Sequence, residues 1–123
     1  MSELVLKVLK VGLKNRSYPI YIGRELSAYI NNVSLDYRRN GIDVVNLIDE
    51  GLKKKSPHFC DELMKTNPTL LLPSGENTKS VNFLSKTWDF LVSQRVDRSG
   101  VLFALGGGVV GDLAGFAAAS YLR

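Results

Sequence analysis

One cysteine, one histidine and one tryptophan occur among the 123 residues of this chain. A lone Cys60 excludes an internal disulfide framework and fits a reducing compartment. It falls in a helical pattern with no metal-ligand spacing around it, so a buried structural thiol is expected. His58 lies near a helix start beside a lysine-rich stretch and reads as a surface residue. No cluster of His, Cys and carboxylates has the spacing of a metal site, and nothing resembles a Ser/His/Asp constellation. The chain opens on polar–apolar alternation, without the cationic segment and apolar core of a secretory leader. Its longest apolar run, near the C-terminus, is interrupted by Asp112 and reads as strand plus buried helix, not as a membrane span. A cytoplasmic protein without membrane contact is expected.

Charge of one sign is also scarce in concentrated form. Lys and Arg number 16 against 12 acids, a net charge of +4. The basic residues are dispersed apart from Lys53-Lys54-Lys55 and Arg38-Arg39, with no interleaved aromatics. Both clusters read as solvated faces, which argues against a nucleic-acid partner. A modest positive balance suits small anionic ligands.

What is present is a globular pattern, 45% hydrophobic, of a length that bounds one domain or part of one. Leu4 to Val11 alternates as a strand, and Tyr18 to Ile22 forms a second, with Pro19 favouring an edge. Arg24 to Arg39 carries Leu26, Ile30, Val33 and Tyr37 at helical spacing. Asp43 to Asp49 reads as a buried strand. Ser56-Pro57 resembles an N-cap with proline at the first helical position, opening a helix to about Lys65. Leu70 to Leu72 is a short strand. Thr78 to Gln94 is a helix with Val81, Leu84, Trp88, Leu91 and Val92 on one face, and Val101 to Leu105 is a strand. From Asp43 onward strands and helices alternate, which predicts a mostly parallel α/β sheet with flanking helices, Rossmann-like in kind.

The stretch after that last strand is the most informative. Gly106, Gly108 and Gly111 fit G-x-G-x-x-G in a strand–turn–helix context. Glycines there let the backbone turn tightly and approach a pyrophosphate at the positive end of a helix. The alternative is a tight connection chosen for close packing, although three adjacent glycines cost about 1 kcal/mol each relative to Ala. Asp112 is expected in the first helical turn, where it is also a plain dipole partner. Ala114 to Arg123 continues as an apolar helix without a terminator, so the chain is expected to be the N-terminal part of a longer protein.

Ligands of parallel sheets bind beyond the carboxyl ends of the strands. Three groups sit at such ends: Asp49-Glu50, Ser74-Gly75-Glu76 with Lys79, and Gly106 to Asp112. Asp49 is alternatively polar punctuation after a strand, and Glu76 with Lys79 an i,i+3 charge pair. Their convergence points to a nucleotide site.

Four stretches resemble the 3-dehydroquinate synthases of the sugar-phosphate cyclase group. They are Arg16-Ser17-Tyr18-Pro19-Ile20 with Ile22-Gly23, the strand ending at Asp49, Pro73-Ser74-Gly75-Glu76-x-x-Lys79-Ser80, and Gly106 to Arg123. The resemblance covers essentially the whole chain but only about the first third of a family member. It implies residues 1–123 as an incomplete NAD-binding α/β domain, the N-terminal part of a two-domain fold. The implied reaction turns 3-deoxy-D-arabino-heptulosonate 7-phosphate into 3-dehydroquinate plus phosphate, in the shikimate route to aromatic amino acids. It also implies that Asp49 binds the adenosine ribose and that Glu76 and Lys79 contact the cofactor's ribose region. Gly107, Gly108 and Val109 would line the pyrophosphate, with Asp112 beside the nicotinamide half and Arg123 holding substrate anionic groups. A divalent metal, zinc or cobalt, would be bound by one Glu and two His of a helical C-terminal domain absent from this chain, which alone should be inactive. A homodimer is implied for the full-length protein, with a phosphorylated sugar acid as substrate. Gly51 stands where family members often carry Asn, two residues after the strand-end aspartate, a departure that leaves one implied adenosine-side contact open. The alternatives are another sugar-phosphate cyclase, a metal-dependent polyol dehydrogenase, or a non-catalytic nucleotide-binding remnant.

Overall fold

The computed structural model describes residues 4–122; Arg123 lies outside them. Strands β1 (Leu4–Val11) and β2 (Tyr18–Arg24) form an antiparallel hairpin, with Val8 opposite Tyr21 and Leu9 opposite Ile20. Its turn is closed locally. The Ser17 hydroxyl accepts the Leu13 amide at 2.8 Å and donates to the Lys14 carbonyl at 2.7 Å. Helix α1 (Ser27–Arg39) follows, then β3 (Val44–Asp49), α2 (Glu50–Lys55), α3 (Pro57–Thr66) and β4 (Thr69–Leu72). Helix α4 (Val81–Ser93), strand β5 (Val101–Leu105) and helix α5 (Gly108–Ser120) complete the order. The hairpin is a sheet of its own, and β4-β3-β5 form a second sheet whose strands run parallel. This is the expected α/β architecture.

The two faces of β3 bury different chemistry, because successive side chains point to opposite sides of a strand. Leu47 joins Leu72, Val110, Leu113 and Ala114 in an apolar cluster against α4 and α5, and Val45 joins Leu91 and Val96. Between them, on the other face, Asn46 is fully buried. Its amide donates to the Leu63 carbonyl at 3.1 Å and to the Thr69 hydroxyl at 3.2 Å, while its oxygen accepts from Asn67 at 3.3 Å. Asn67 also donates to Ser34 at 3.0 Å and accepts from Arg38 at 3.0 and 3.3 Å. Arg38 in turn donates to the Val44 carbonyl at 2.9 Å. A polar seam thus ties α1, α3 and β3 together.

Several expectations need correction. Arg38 belongs to this seam and is not part of a solvated face. The first long helix begins at Ser27, not Arg24, because Arg24 ends β2 and Glu25 turns with φ 55°. Helix α2 has no counterpart in the sequence pattern; Asp49 caps it by accepting the Gly51 amide. Ser56 occupies the N-cap position of α3 before Pro57, but its hydroxyl makes no capping bond. Helix α4 starts at Val81, where the Ser80 hydroxyl accepts the Phe83 amide at 3.3 Å, and Thr78 belongs to a preceding 3-10 turn. Val81 and Val92 are 79% and 63% exposed, so the buried face of α4 runs instead through Thr87 and Leu91. Helix α5 ends at Ser120; the Tyr121 hydroxyl then donates to the Val96 carbonyl at 2.7 Å, and Leu122 turns with φ 48°.

The seam predicts the effect of Asn67→Ala. Asn46, Ser34 and Arg38 each lose a partner, and a buried polar group left unsatisfied costs about 1–3 kcal/mol. A urea titration should show a drop of at least that size, whereas Arg39→Ala, on an exposed side chain, should stay within about 0.5 kcal/mol.

Candidate functional site

Parallel pairing brings the three predicted groups to one sheet end. Asp49 is level with Leu72, and Ile48 with Leu105, so the segments after β3, β4 and β5 leave side by side. They enclose a cleft of about 310 Å³ lined by Asp49, Gly51, Lys55, Ser74, Gly106 and Gly107, among others. A larger cavity, about 440 Å³, lies between the starts of α1 and α3 beside Glu25 and His58. The smaller cleft is the candidate, because it gathers groups from all three strand ends.

Asp49 is the best-defined group in it. One carboxylate oxygen accepts the Gly51 amide at 2.6 Å and the Ser74 hydroxyl. The serine hydrogen bond is the larger cause, and Gly51 a further one, holding the carboxyl below the ordinary carboxylate range despite partial desolvation. Asp49 is therefore ionised at neutral pH. Because the folded-state pKa is the lower one, its contribution to stability is present above the ordinary carboxylate value and drains away as pH falls through the folded value.

From the β4 end, Glu76 lies in the 3-10 turn Glu76–Thr78, and Lys79 follows it. The Lys79 ammonium donates to Asp112 at 2.8 Å and stands 3.7 Å from Glu76. The Asp112 contact is the first cause, ahead of Glu76, raising the lysine pKa. Lys79 thus links the β4 loop to α5. Asp112 itself is not in the first turn of α5, which starts at Gly108; it sits a turn further on, where a dipole partnership gives way to the lysine contact.

At the β5 end the glycines divide by role. Gly106 has φ +153°, and a Cβ there would meet the Asp49 Cβ at 2.8 Å, so this position needs glycine for packing. Gly107, Gly108 and Gly111 face open space, with nothing within 4 Å of an added Cβ. No capping side chain accepts the first-turn amides of α5. Such an end, with small residues around it, accommodates an anion. Val109 lies in this first turn and is half-buried. Among the described residues no group of three or more His, Cys, Asp or Glu could hold a metal, and no helix is long and apolar enough to cross a membrane. Cys60 is buried, and desolvation pushes its thiol pKa up. The sequence places Ser74 in a strand-end group without a role of its own; only the fold reveals its hydrogen bond to Asp49.

The family model described as "3-dehydroquinate synthase N-terminal" matches residues 69–123. The 3-dehydroquinate synthase of Opitutus terrae is 38% identical over 115 residues, covering 94% of this chain and 32% of that protein. The chloroplastic 3-dehydroquinate synthase of Arabidopsis thaliana is also 38% identical, over 94% of the chain and 27% of its own length. The chain matches a stretch about a third as long as these 3-dehydroquinate synthases, or shorter. A crystal structure of 2-deoxy-scyllo-inosose synthase, complexed with carbaglucose-6-phosphate, NAD+ and Co2+, shares the fold with a TM-score of 0.67 and 21% identity, over 93% of this chain and 31% of that one.

The glycines should separate by measurement. Gly106→Ala is expected to destabilise by roughly 1–3 kcal/mol through strain and the clash with Asp49. Gly111→Ala, inside α5 and unobstructed, is expected to stabilise by up to about 1 kcal/mol. Denaturant midpoints of the two variants check both signs.

Proposed function

We propose that this chain is the NAD-binding portion of a 3-dehydroquinate synthase, with residues 1–123 forming an incomplete α/β domain. The observation that carries the reading is the convergence of an anionic strand-end aspartate, a glycine-lined helix start and the Lys79–Asp112 link on adjacent parallel strands. The residues fit the cofactor. Asp49 offers an ionised acceptor for ribose hydroxyls, and its charge opposes a 2′-phosphate, favouring NAD over NADP. The amides of Gly108 and Val109, with the open surface at Gly107, suit the pyrophosphate. Glu76 and Lys79 border the same region, and the raised lysine pKa keeps that ammonium protonated. Asp112 holds Lys79 in place and stands toward the nicotinamide half.

NAD, when bound, supplies a reversible hydride acceptor; this chain's residues bind and orient it. The divalent metal, zinc or cobalt, would be held by a helical second domain together with the remaining catalytic groups. The whole protein would convert 3-deoxy-D-arabino-heptulosonate 7-phosphate to 3-dehydroquinate and phosphate as a cytoplasmic homodimer, with Arg123 gripping substrate anions. Identity of 38% to 3-dehydroquinate synthases, against 21% to the 2-deoxy-scyllo-inosose synthase, favours this substrate over that of another cyclase.

Calorimetry on the chain should detect NAD binding, weaker binding of NADP, and at least about tenfold weaker NAD binding by Asp49→Ala, a loss of roughly 1.4 kcal/mol. With NAD and zinc added, the chain alone should release no phosphate from the heptulosonate. Absence of NAD binding by a folded chain overturns the reading. In the full-length protein, Arg123→Lys should raise KM for substrate and leave NAD affinity unchanged, since an ammonium cannot reproduce the paired hydrogen bonds of a guanidinium.

A further inference from the structure

Ser74 and Gly51 come from different loops, yet their positions are interdependent. A Cβ added at Gly51 would lie 2.5 Å from the Ser74 hydroxyl oxygen and 3.0 Å from Asp49 Oδ1. The hydroxyl occupies the space that any side chain at 51 would take. It accepts the Gly51 amide at 3.1 Å and donates to Asp49 Oδ1. A serine hydroxyl has one proton. With the Gly51 N–H pointing at the oxygen, that proton is directed to the carboxylate.

The serine is itself held from behind. Leu72 is buried at the end of β4, and the fully buried Thr78 donates its hydroxyl to the Pro73 carbonyl at 2.5 Å. The Thr78 and Lys79 amides close the following turn on Gly75 and Glu76 at 3.1 and 3.0 Å. Ser74 therefore leaves a pinned segment, although its own side chain is exposed. Oδ1 of Asp49 accepts two hydrogen bonds, from Ser74 and Gly51.

We propose that Ser74 is the positioning residue of Asp49 and that glycine at 51 admits it, so that the aspartate meets a ribose diol in one fixed orientation. The ligand half of this statement rests on the NAD reading; the Ser74–Gly51–Asp49 arrangement does not. The arrangement also accounts for glycine at 51. A residue with a side chain there would displace the serine hydroxyl, so a direct contact from position 51 and the serine clamp exclude each other.

The test follows the Asp49 carboxyl by carbon-13 NMR through an acid titration of the ligand-free chain, and NAD affinity by calorimetry, in Ser74→Ala, Ser74→Thr, Gly51→Ala and the Gly51→Ala/Ser74→Ala pair. In Ser74→Ala the Asp49 midpoint should rise towards the ordinary aspartate value and NAD binding should weaken about tenfold, equivalent to roughly 1.4 kcal/mol. Ser74→Thr should restore both. Gly51→Ala should reproduce Ser74→Ala, and the double variant should be no worse than either single one, since both remove the same contact. An unmoved midpoint in Ser74→Ala, additive effects in the pair, or a moved midpoint with unchanged NAD affinity overturns the proposal. If the midpoints move as stated but even the unaltered chain ignores NAD, the clamp stands and the NAD reading falls. If the midpoints stay put while the unaltered chain binds NAD, the reverse holds.

Discussion

Strand β3 is paired in parallel on both edges, and its register sets where every other group in the cleft begins. Asn46 to Asp49 run level with Thr69 to Leu72, while Val44 to Ile48 run level with Val101 to Leu105. Parallel strands in level register discharge their chains at the same edge. The residues that follow, Glu50, Pro73 and Gly106, therefore emerge together, although they are distant in sequence. A slip of one residue would turn Val45 and Leu47 towards the polar seam and Asn46 into the apolar cluster. The buried asparagine thus makes the register costly to change, because its amide reaches both α3 and Thr69.

The close approach of Gly106 to Asp49 completes the cleft. It draws the start of α5 against the end of β3, near enough that a methyl group would not fit. Lys79 then spans from the β4 loop to Asp112. Each side of the cleft is joined to another: β3 to β4 through Ser74, β3 to β5 through the glycine contact, and β4 to α5 through the lysine.

Much of this was legible in the residues. Val44, Val45, Leu47 and Ile48 mark a buried strand around Asn46, and Gly106 to Gly111 announces a strand-to-helix turn, so the strands and the convergence of their ends could be read directly. The errors came where tertiary context overrides pattern. Arg38 looks like one of two adjacent surface cations, and only the fold brings Asn67 and the Val44 carbonyl to it. Val81 has helical spacing to Leu84 and Trp88, but as the first residue of α4 it precedes the packed face. The sequence pattern puts Asp112 one turn early because the glycine run hides where α5 begins. The Ser74–Asp49 contact joins residues 25 apart, and no local signal marks it. Helix α2 is six residues long, too short for periodicity to show, and its lysines read only as charge.

Strands β4 and β5 are the two edges of the parallel sheet among the described residues, and each presents backbone groups along its outer side. Next to β5, α5 exposes Phe116, and the hairpin shows Val8, Ile20 and Ile22 to solvent. Open edges beside apolar surface are templates for pairing with another chain. The counterweight is long-range repulsion from a net charge of +4, which salt screens within about 8 Å at physiological ionic strength. For the isolated chain, protein concentration and salt therefore govern how long it stays dispersed, largely independently of how firmly β3 and its neighbours hold the fold together.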